Sequence, residues 1–312
     1  KFIKLMSQKK VVFMGTPEFS VPILEAIAKS SYEILCVYTQ APKRSNRGQK
    51  LNISPIHKSA ENLKLIVRYP KNLNSEEEFN FIKKINPSIV IVVAYGQIIS
   101  KKFLSIPKEG FINIHASLLP HWRGAAPIQR SIMNSDKETG ISIMKIVEDL
   151  DAGPVLKQIK IKIDESVTTA ELSKNLSKIS SESIVDILDN IFNEKLKFTT
   201  QDHKLASYAK KIKKSEAEIN WNESAKKILA KINGLNPNPG AWFIYKKNRY
   251  KIWEARIVEK QGRAGTIVDS KFTIGCFDKS LEVIEIQKEG KNKLPLKNFL
   301  MGINFKQGDE LK

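Results

Sequence analysis

Cysteine is scarce in this sequence, which argues against a disulfide-stapled or cysteine-ligated protein. The two cysteines, Cys36 and Cys276, lie far apart in the apolar, strand-like runs EILCVYT and FTIGCFD. Two distant cysteines cannot form a disulfide framework or a metal cluster, so we predict two reduced thiols buried in a core. Such cysteines are typical of a cytoplasmic protein.

Patterns for metal binding, membrane insertion and secretion are missing as well. The four histidines, His57, His115, His121 and His203, show no spacing typical of metal ligands, so we predict that no metal is bound. No apolar run has the length of a membrane span. The basic start KFIKLMSQKK lacks the apolar segment of a secretory signal, so we expect neither membrane attachment nor export.

Glycine-rich phosphate-binding motifs are also absent. The first predicted strand ends in FMGTPEFS, where a single glycine, Gly15, leads into a helix. A dinucleotide fingerprint needs three glycines so that the backbone can approach a pyrophosphate, and here Thr16, Pro17 and Glu18 fill that space. Binding of NAD or FAD is therefore disfavoured, and no P-loop sequence occurs.

Acidic residues are outnumbered by basic ones. The chain has 52 Lys+Arg against 33 Asp+Glu, a net charge of +19. Residues 205–312 contain 22 Lys+Arg and 12 Asp+Glu, a net charge of +10, so about a third of the chain carries about half of the surplus. A surplus of this size favours a polyanionic partner such as nucleic acid, although a lysine-rich composition explains the total charge equally well.

Strand-like and helix-like segments alternate through the first two thirds of the chain. Predicted strands cover residues 10–15, 33–39, 65–69, 88–96, 110–119, 140–147 and 155–163, and predicted helices cover residues 17–30, 75–85, 126–134 and 168–192. This alternation is typical of an α/β fold with a Rossmann-like, mostly parallel sheet between two layers of helices. Ligands of such sheets bind beyond the carboxyl ends of the strands.

The last third of the chain has a different character. A polar, lysine-rich stretch over residues 193–219 is typical of a linker between domains. The short apolar runs AWFIY, YKIWEARIV, AGTIVD, FTIGCF and SLEVIEIQ follow it, separated by turn residues, and predict a small OB-like β-barrel. We therefore expect an α/β domain over residues 6–195, a linker over 196–213 and a basic β-barrel domain over 214–312.

Three polar features follow predicted strands at the edge of the sheet where a ligand is expected. The first is the turn at Gly15. The second is the pair Asn113 and His115, which lie two apart on one strand, so their side chains leave the same face. A lone histidine there would more often be a core residue, but a paired amide and imidazole before the turn HWRG favours chemistry. The third feature is the acidic loop EDLDAGPVL, in which spacing does not distinguish Asp151 from Asp149.

The segment APKRSNRGQK at residues 41–50 is basic and contains no acid. Its charged residues are Lys43, Arg44, Arg47 and Lys50. Proline, asparagine and glycine predict a loop after a strand end, where a mobile basic segment suits a phosphate backbone. An ordinary solvated loop would have the same composition.

Several of these segments together resemble the methionyl-tRNA formyltransferase family. The matching segments are FMGTPEFSVP, VVAYGQII, NIHASLLPHWRGAAPIQRSI, TGISIMKI and LDAGPVL, and the resemblance runs in order from about residue 8 to the end. The pattern Asn-x-His-x-Ser-Leu-Leu-Pro with a later Leu-Asp-x-Gly is similar to that of all enzymes that transfer formyl from 10-formyltetrahydrofolate. The continuation WRGAAPIQR is specific to the narrower family.

The resemblance implies an enzyme that formylates the methionine of initiator Met-tRNA for translation initiation. It implies 10-formyltetrahydrofolate as co-substrate, no metal, and a catalytic trio of Asn113, His115 and Asp151, which selects Asp151 over Asp149. The amine would attack the formyl carbon directly, without a Ser or Cys nucleophile. Asn113 and His115 would stabilise the tetrahedral intermediate, while Asp151 would assist proton transfer.

The resemblance also implies where the two substrates bind. The implied folate-contacting residues are Ser117, Leu118, Leu119 and Pro120. Arg47 matches the arginine that grips the tRNA acceptor end, and we expect Lys43, Arg44 and Lys50 to contact tRNA beside it. The chain departs from the family at His121, where a basic residue is common, and in one missing proline of the loop.

Two other functions remain open from the sequence. A formyltransferase for an amino sugar or nucleotide would share the Asn-His-Asp pattern, but the basic loop and basic C-terminal domain count against it. A non-catalytic RNA-binding protein on a degenerate enzyme fold would share the charge, but the intact Asn113, His115 and Asp151 count against that. We expect a monomer that acts without a membrane.

Overall fold

The chain divides into two compact units, each assembled from three segments. The computed structural model describes residues 9–45, 50–302 and 305–312. The first unit contains Lys1–Arg123, Gly140–Lys160 and Ser173–Tyr208, and the second contains Gly124–Thr139, Ile161–Leu172 and Ala209–Lys312. The division into three consecutive parts, a domain that ends at residue 195, a linker that ends at residue 213 and a second domain, stays a prediction.

Strands and helices alternate along the described chain. The strands are β1 (Lys10–Gly15), β2 (Glu33–Tyr38), β3 (Lys43–Ser45), β4 (Lys50–Asn52), β5 (Val67–Arg68), β6 (Ile89–Val93), β7 (Phe111–His115), β8 (Arg123–Gly124), β9 (Glu138–Lys145), β10 (Val155–Lys162), β11 (Tyr208–Ala209), β12 (Ala241–Tyr245), β13 (Asn248–Val258), β14 (Thr273–Gly275), β15 (Ser280–Lys288) and β16 (Leu294–Pro295). The helices are α1 (Val21–Ala28), α2 (Pro55–Asn62), α3 (Glu76–Ile85), α4 (Lys101–Leu104), α5 (Pro127–Met133), α6 (Thr169–Phe192), α7 (Ala225–Gly234) and α8 (Leu296–Leu300).

A seven-stranded sheet has the order β10-β9-β7-β6-β1-β2-β5. β2 and β6 pair with β1 in parallel, as do β5 with β2 and β7 with β6, whereas β9 runs antiparallel to β7. All five residues of β6 are buried, as expected for a central strand covered on both faces. The prediction of a mostly parallel α/β fold is confirmed.

Helix α3 shows how local sequence sets element ends. Ser75 precedes it, and the Ser75 hydroxyl accepts a hydrogen bond from the amide of Glu78. Three glutamates in its first turn lie near the positive end of the helix dipole. The helix ends at Asn86, whose φ of 46° lies in the left-handed region.

The turn after β1 is held against the end of β6. The Ser20 hydroxyl donates to the carbonyl of Val93 at 2.7 Å. A Cβ on Gly15 would lie 2.8 Å from the Phe13 ring and 3.1 Å from the Val93 carbonyl oxygen. Only glycine fits at this position, so the single glycine of FMGTPEFS serves packing between strand ends.

The second unit contains an antiparallel sheet with the order β12-β13-β15-β14 and with β16 paired to β15. Aromatic side chains fill its core, where Phe243 stacks on Tyr250 at 5.5 Å and Trp221 meets Phe243 edge-on at 5.9 Å. In the same unit, α5 packs against α7, and a Cβ on Gly234 would lie 2.6 Å from the Met133 side chain. The antiparallel C-terminal domain agrees with the predicted fold class.

Two details of the predicted barrel are corrected. The predicted strand at residues 264–269 forms only isolated bridges, and β16 is the fifth strand instead. Gly265 has a φ of +76°, which interrupts extended backbone there. The pairing recorded over the described residues follows an open path, so barrel closure is not seen in them.

The described helices include none with the length and apolar character that crossing a bilayer would need.

Candidate active site

Strand β7 presents Asn113 and His115 on one face of the sheet. Both flanking isoleucines, Ile112 and Ile114, are buried on the opposite face, because side chains alternate along a strand. The Asn113 side chain is half-buried and makes no hydrogen bond within the described part of the chain. Its amide is therefore available to a ligand, next to an imidazole that is 6% exposed.

The His115 ring is held through a backbone carbonyl. Its Nε2 lies 2.9 Å from the carbonyl oxygen of Trp122, and because a carbonyl only accepts, Nε2 carries the hydrogen. Trp122 adopts a φ of 59°, and its amide donates to the Ser207 hydroxyl at 2.9 Å. The ring is thereby fixed with Nδ1 on its other side.

Asp151 faces that second nitrogen. Its Oδ2 lies 3.7 Å from His115 Nδ1, close enough for an ion pair but too far for a direct hydrogen bond. The Asp151 side chain is 16% exposed, and its backbone has a φ of 47°, uncommon for a residue other than glycine. The structure thus brings together all three residues of the predicted trio, whereas Asp149 is exposed in the same loop.

The Asp151 loop is braced on two sides. A Cβ on Gly153 would lie 1.8 Å from the carbonyl oxygen of Lys145 on β9, so the loop can approach the strand only because residue 153 is glycine. The side-chain amide of Gln201 donates to the carbonyls of Asp151 at 2.9 Å and Gly153 at 2.7 Å.

Sequence reasoning missed two residues of this bracing. Arg123, which is 3% exposed, donates to the Oε1 atom of Gln201 at 2.7 Å and 3.1 Å. Arg123 stands in the conspicuous turn Trp-Arg-Gly and could have been noticed. Gln201 lies in a polar stretch about 50 residues from the loop, where nothing in the sequence marks it.

The predicted folate-contacting residues form a turn with an internal hydrogen-bond network. Ser117 and Leu119 are buried, whereas Leu118 and Pro120 are partly exposed. The Ser142 hydroxyl donates to the Ser117 carbonyl at 2.6 Å and accepts from the Leu119 amide at 3.0 Å. The turn therefore presents apolar side chains on a rigid backbone beside Asn113 and His115.

Three of the four predicted tRNA-binding residues belong to a two-stranded hairpin. β3 pairs antiparallel with β4, so the backbones of Lys43, Arg44 and Lys50 belong to the hairpin, and Lys43 is exposed. Arg47 lies outside the described residues. The hairpin follows β2 after a short connection, which is the location predicted from the sequence.

A largely buried ionic cluster lies near the end of β2. Glu78 accepts hydrogen bonds from Arg68 at 2.7 and 2.8 Å and from the Tyr38 hydroxyl at 2.7 Å. Burial raises the pKa of Glu78, but the hydrogen bonds from Arg68 and Tyr38 outweigh it and leave the pKa below its usual value. The cluster therefore favours the ionised form of the Glu78 carboxyl group in the folded protein.

The two cysteines are free and buried. Burial raises the pKa of Cys36 to about 12 and that of Cys276 to about 12. Their prediction as core thiols is confirmed. In the part of the chain that the structure describes, no three His, Cys, Asp or Glu residues are grouped as ligands for a metal ion.

Family models match most of the chain. The model "Formyl transferase" matches residues 9–188, and "Formyl transferase, C-terminal domain" matches residues 211–304. Two curated relatives carry the name methionyl-tRNA formyltransferase. The one from Pelagibacter ubique is 51% identical over 97% of this chain and 98% of its own, and the one from Brucella canis is 42% identical over 94% and 97%.

Solved structures share the fold at lower identity. WlaRD, a sugar 3N-formyl transferase solved with dTDP and 5-N-formyl-THF, superposes with a TM-score of 0.67 at 21% identity, covering 91% of this chain and 98% of its own. HypX from Aquifex aeolicus in complex with tetrahydrofolic acid gives 0.64 at 16% identity, covering 97% of this chain and 50% of its own. At such identities the likeness shows the fold alone.

Proposed function

The chain belongs to the methionyl-tRNA formyltransferases, and from that premise we propose that Asn113, His115 and Asp151 carry out its reaction. The enzyme transfers a formyl group to Met-tRNA in translation initiation. We assign 10-formyltetrahydrofolate as the formyl donor and initiator Met-tRNA as the acceptor. The observation that carries the activity is the near-full-length similarity to relatives of that name.

Asn113 stabilises the charge that develops on the formyl oxygen. Attack by the neutral methionine amine turns the formyl carbon tetrahedral and places negative charge on its oxygen. An amide donor aimed at such an oxygen contributes about 10²–10³ in rate. The absence of any hydrogen bond from the Asn113 side chain within the described residues supports this role, because the amide needs no internal bond broken to serve it.

His115 and Asp151 move the proton that the attacking amine must lose. With Nε2 donating to the Trp122 carbonyl, Nδ1 is the ring nitrogen that faces the carboxylate. A separation of 3.7 Å has to shorten by roughly 1 Å for direct proton transfer, and catalytic hydrogen bonds often tighten only when substrate binds. We propose that Asp151 takes up the amine proton and passes it to His115 Nδ1, and that the same Nδ1–H then protonates the leaving folate nitrogen while Nε2 stays bonded to the Trp122 carbonyl.

The turn at residues 117–120 is the proposed folate contact. The partly exposed side chains of Leu118 and Pro120 offer apolar contact, while the buried Ser117 and Leu119 hold the turn in place. This apolar surface can pack against the face of a folate ring. Bound 10-formyltetrahydrofolate supplies an activated formyl group there.

Basic residues of both units are the proposed tRNA contacts. Lys43, Arg44, Arg47 and Lys50 give the segment at residues 41–50 a positive charge, and the surplus charge of the C-terminal third adds to the attraction. We propose a catalytic domain over residues 6–195, a linker over 196–213 and a tRNA-binding domain over 214–312, acting as a monomer in the cytoplasm. The family matches at residues 9–188 and 211–304 support this division.

Formylation of purified Met-tRNA tests the proposal, with formyl-methionine measured after deacylation. Wild type should use initiator Met-tRNA at least about tenfold better than elongator Met-tRNA, and Asp151→Asn should lower kcat/KM by about 10²–10³. Asp149→Asn, an exposed acid in the same loop, is the matched control and should stay within about twofold of wild type. Full turnover by Asp151→Asn would refute the catalytic role.

A second arm tests the substrate. A nucleotide-linked amino sugar replaces Met-tRNA under the same conditions and should give no formylated product. Formylation of that sugar at an equal rate would overturn the assignment of tRNA.

A further inference from the structure

Arg123 is a buried cation that faces neutral acceptors. Its guanidinium donates to Oε1 of Gln201 at 2.7 and 3.1 Å and lies 3.3 Å from Nδ1 of His203. Over the described residues it forms no ion pair with a carboxylate. Burial of an unpaired charge is costly, and an apolar side chain would fill the same space without that cost. The charge therefore calls for a role other than filling the core.

The role lies in the orientation of Gln201, which is 7% exposed. The guanidinium can only donate, so the amide atom that faces it is the oxygen. The carbonyls of Asp151 and Gly153 can only accept, so the atom that faces them, at 2.9 and 2.7 Å, is the amide nitrogen. Rotating the amide by half a turn would break the hydrogen bonds on both sides, so Arg123 locks Gln201 in one orientation.

The locked amide holds Asp151 in a backbone conformation that it would otherwise avoid. A left-handed φ, here 47°, is uncommon for a residue other than glycine, although aspartate tolerates it better than most. The two hydrogen bonds from Gln201 bracket this residue and act together with the close packing of Gly153 on β9. In this conformation of the loop the Asp151 carboxylate lies 3.7 Å from His115 Nδ1.

The residue before Arg123 holds the other catalytic partner. The Trp122 carbonyl accepts from His115 Nε2 at 2.9 Å, and the amides of Trp122 and Arg123 both bond to Ser207. Trp122 therefore fixes the position of the His115 imidazole, and Arg123 fixes the position of the Asp151 carboxylate through Gln201. Because both are fixed to one piece of backbone, their separation is controlled from a single place.

We infer that Arg123 and Gln201 are positioning residues that hold Asp151 against His115. The inference rests on the proposed function, since it assumes that Asp151 takes part in formyl transfer. Neither residue contacts a substrate in this assignment. Both act on catalysis only through the geometry of Asp151.

Gln201→Glu is the discriminating substitution. The carboxylate still accepts from Arg123 and gains an ion pair with it, but it cannot donate to the Asp151 and Gly153 carbonyls. If Gln201 served only to satisfy Arg123, this variant would be as active as wild type. Under the inference kcat falls by about tenfold or more, while KM for Met-tRNA and for 10-formyltetrahydrofolate changes by less than about threefold.

A double-mutant cycle gives a readout that a general structural role would not produce. In the Asp151→Asn background, Gln201→Glu should change kcat by less than about twofold, because its effect passes through a carboxylate already removed. A loss of equal size in both backgrounds would overturn the inference, as would full activity of Gln201→Glu alone. An inactive wild type, or an Asp151→Asn variant as active as wild type, would instead refute the proposed function.

Arg123→Lys provides a second route if Gln201→Glu folds poorly. Lysine keeps the buried charge but lacks the fork that holds the Gln201 oxygen with two hydrogen bonds. A smaller loss in kcat is expected, and it should also vanish in the Asp151→Asn background; persistence of that loss there would overturn the inference. Gln97→Glu is the control for folding. The Gln97 side chain accepts a hydrogen bond from the Leu73 amide at 2.8 Å and donates one to the Pro70 carbonyl at 2.9 Å, so this substitution also removes a donor to a backbone carbonyl.

Discussion

Gly153→Ala should separate catalysis from folding, because its clash falls on the loop that carries Asp151. The new methyl group would lie 1.8 Å from the Lys145 carbonyl oxygen, whereas ordinary contact begins at 3.4 Å, so the loop must open by about 1.6 Å. That displacement would stretch the hydrogen bonds from Gln201 and move Asp151 relative to His115. A misplacement of about 1 Å costs about 100-fold in rate, equivalent to about 2.7 kcal/mol in the activation barrier.

Steady-state formylation of Met-tRNA and thermal unfolding by circular dichroism measure the two effects. We expect kcat/KM to fall by about 100-fold, with a cooperative unfolding transition still present. Gly302→Ala is the matched control, since its nearest neighbour, the Phe299 carbonyl oxygen, would lie 3.9 Å from the new Cβ. Activity of Gly153→Ala within about twofold of wild type would show that the loop tolerates the shift and that its position does not limit the reaction.

Three further outcomes are expected. Cys36 and Cys276, each with a pKa raised to about 12 by burial, should resist a thiol reagent at pH 8 in the native protein and react after unfolding; rapid native labelling would contradict this. Glu78→Gln should lower the free energy of unfolding by about 1–2 kcal/mol at pH 7, because Arg68, which is 24% exposed, loses its buried partner and keeps only the exposed Glu77. Because the pKa of Glu78 is lowered in the folded state, the stabilisation that its carboxylate provides is complete above pH 4.5 and is lost as the pH falls through the folded-state pKa. In denaturant titrations, the difference in unfolding free energy between wild type and Glu78→Gln should therefore shrink in acid. A difference that stays constant with pH would refute the assignment. Gly140→Ala, whose Cβ would lie 2.1 Å from a carbonyl oxygen on β10, should destabilise the fold by about 1–3 kcal/mol in the same titration, and an unchanged midpoint would contradict it.

The hydrophobic pattern predicted the main sheet because a buried parallel strand has a distinctive composition. The run at residues 88–96 contains the fully buried β6, and the Ser75 cap marked the start of α3. Irregular pairing was harder to foresee. The stretch at residues 264–269 has strand-like composition, yet Gly265 adopts a positive φ there and the short β16 pairs in its place.

The candidate site could be predicted where its residues are close in sequence. Asn113 and His115 share a face of one strand, so a period of two places their side chains together. Asp151 needed the family resemblance, because only the folded loop brings it within 3.7 Å of the imidazole. Gln201 could not be predicted, since its partners lie about 50 and 80 residues away and a lone glutamine in a polar stretch carries no periodic signal.

The interleaving of the two compact units limits how relatives of this enzyme can be recombined. The second unit takes Gly124–Thr139 and Ile161–Leu172 from within the span of the first. A chimera spliced once, between residues 195 and 214, would exchange most of the second unit but leave both inserted segments with their original parent. In every such hybrid, α5 from one parent would pack against α7 from the other. Their contacting residues, such as Met133 and Gly234, would then not be matched to each other. Exchanging the whole second unit between relatives therefore requires three segments rather than one.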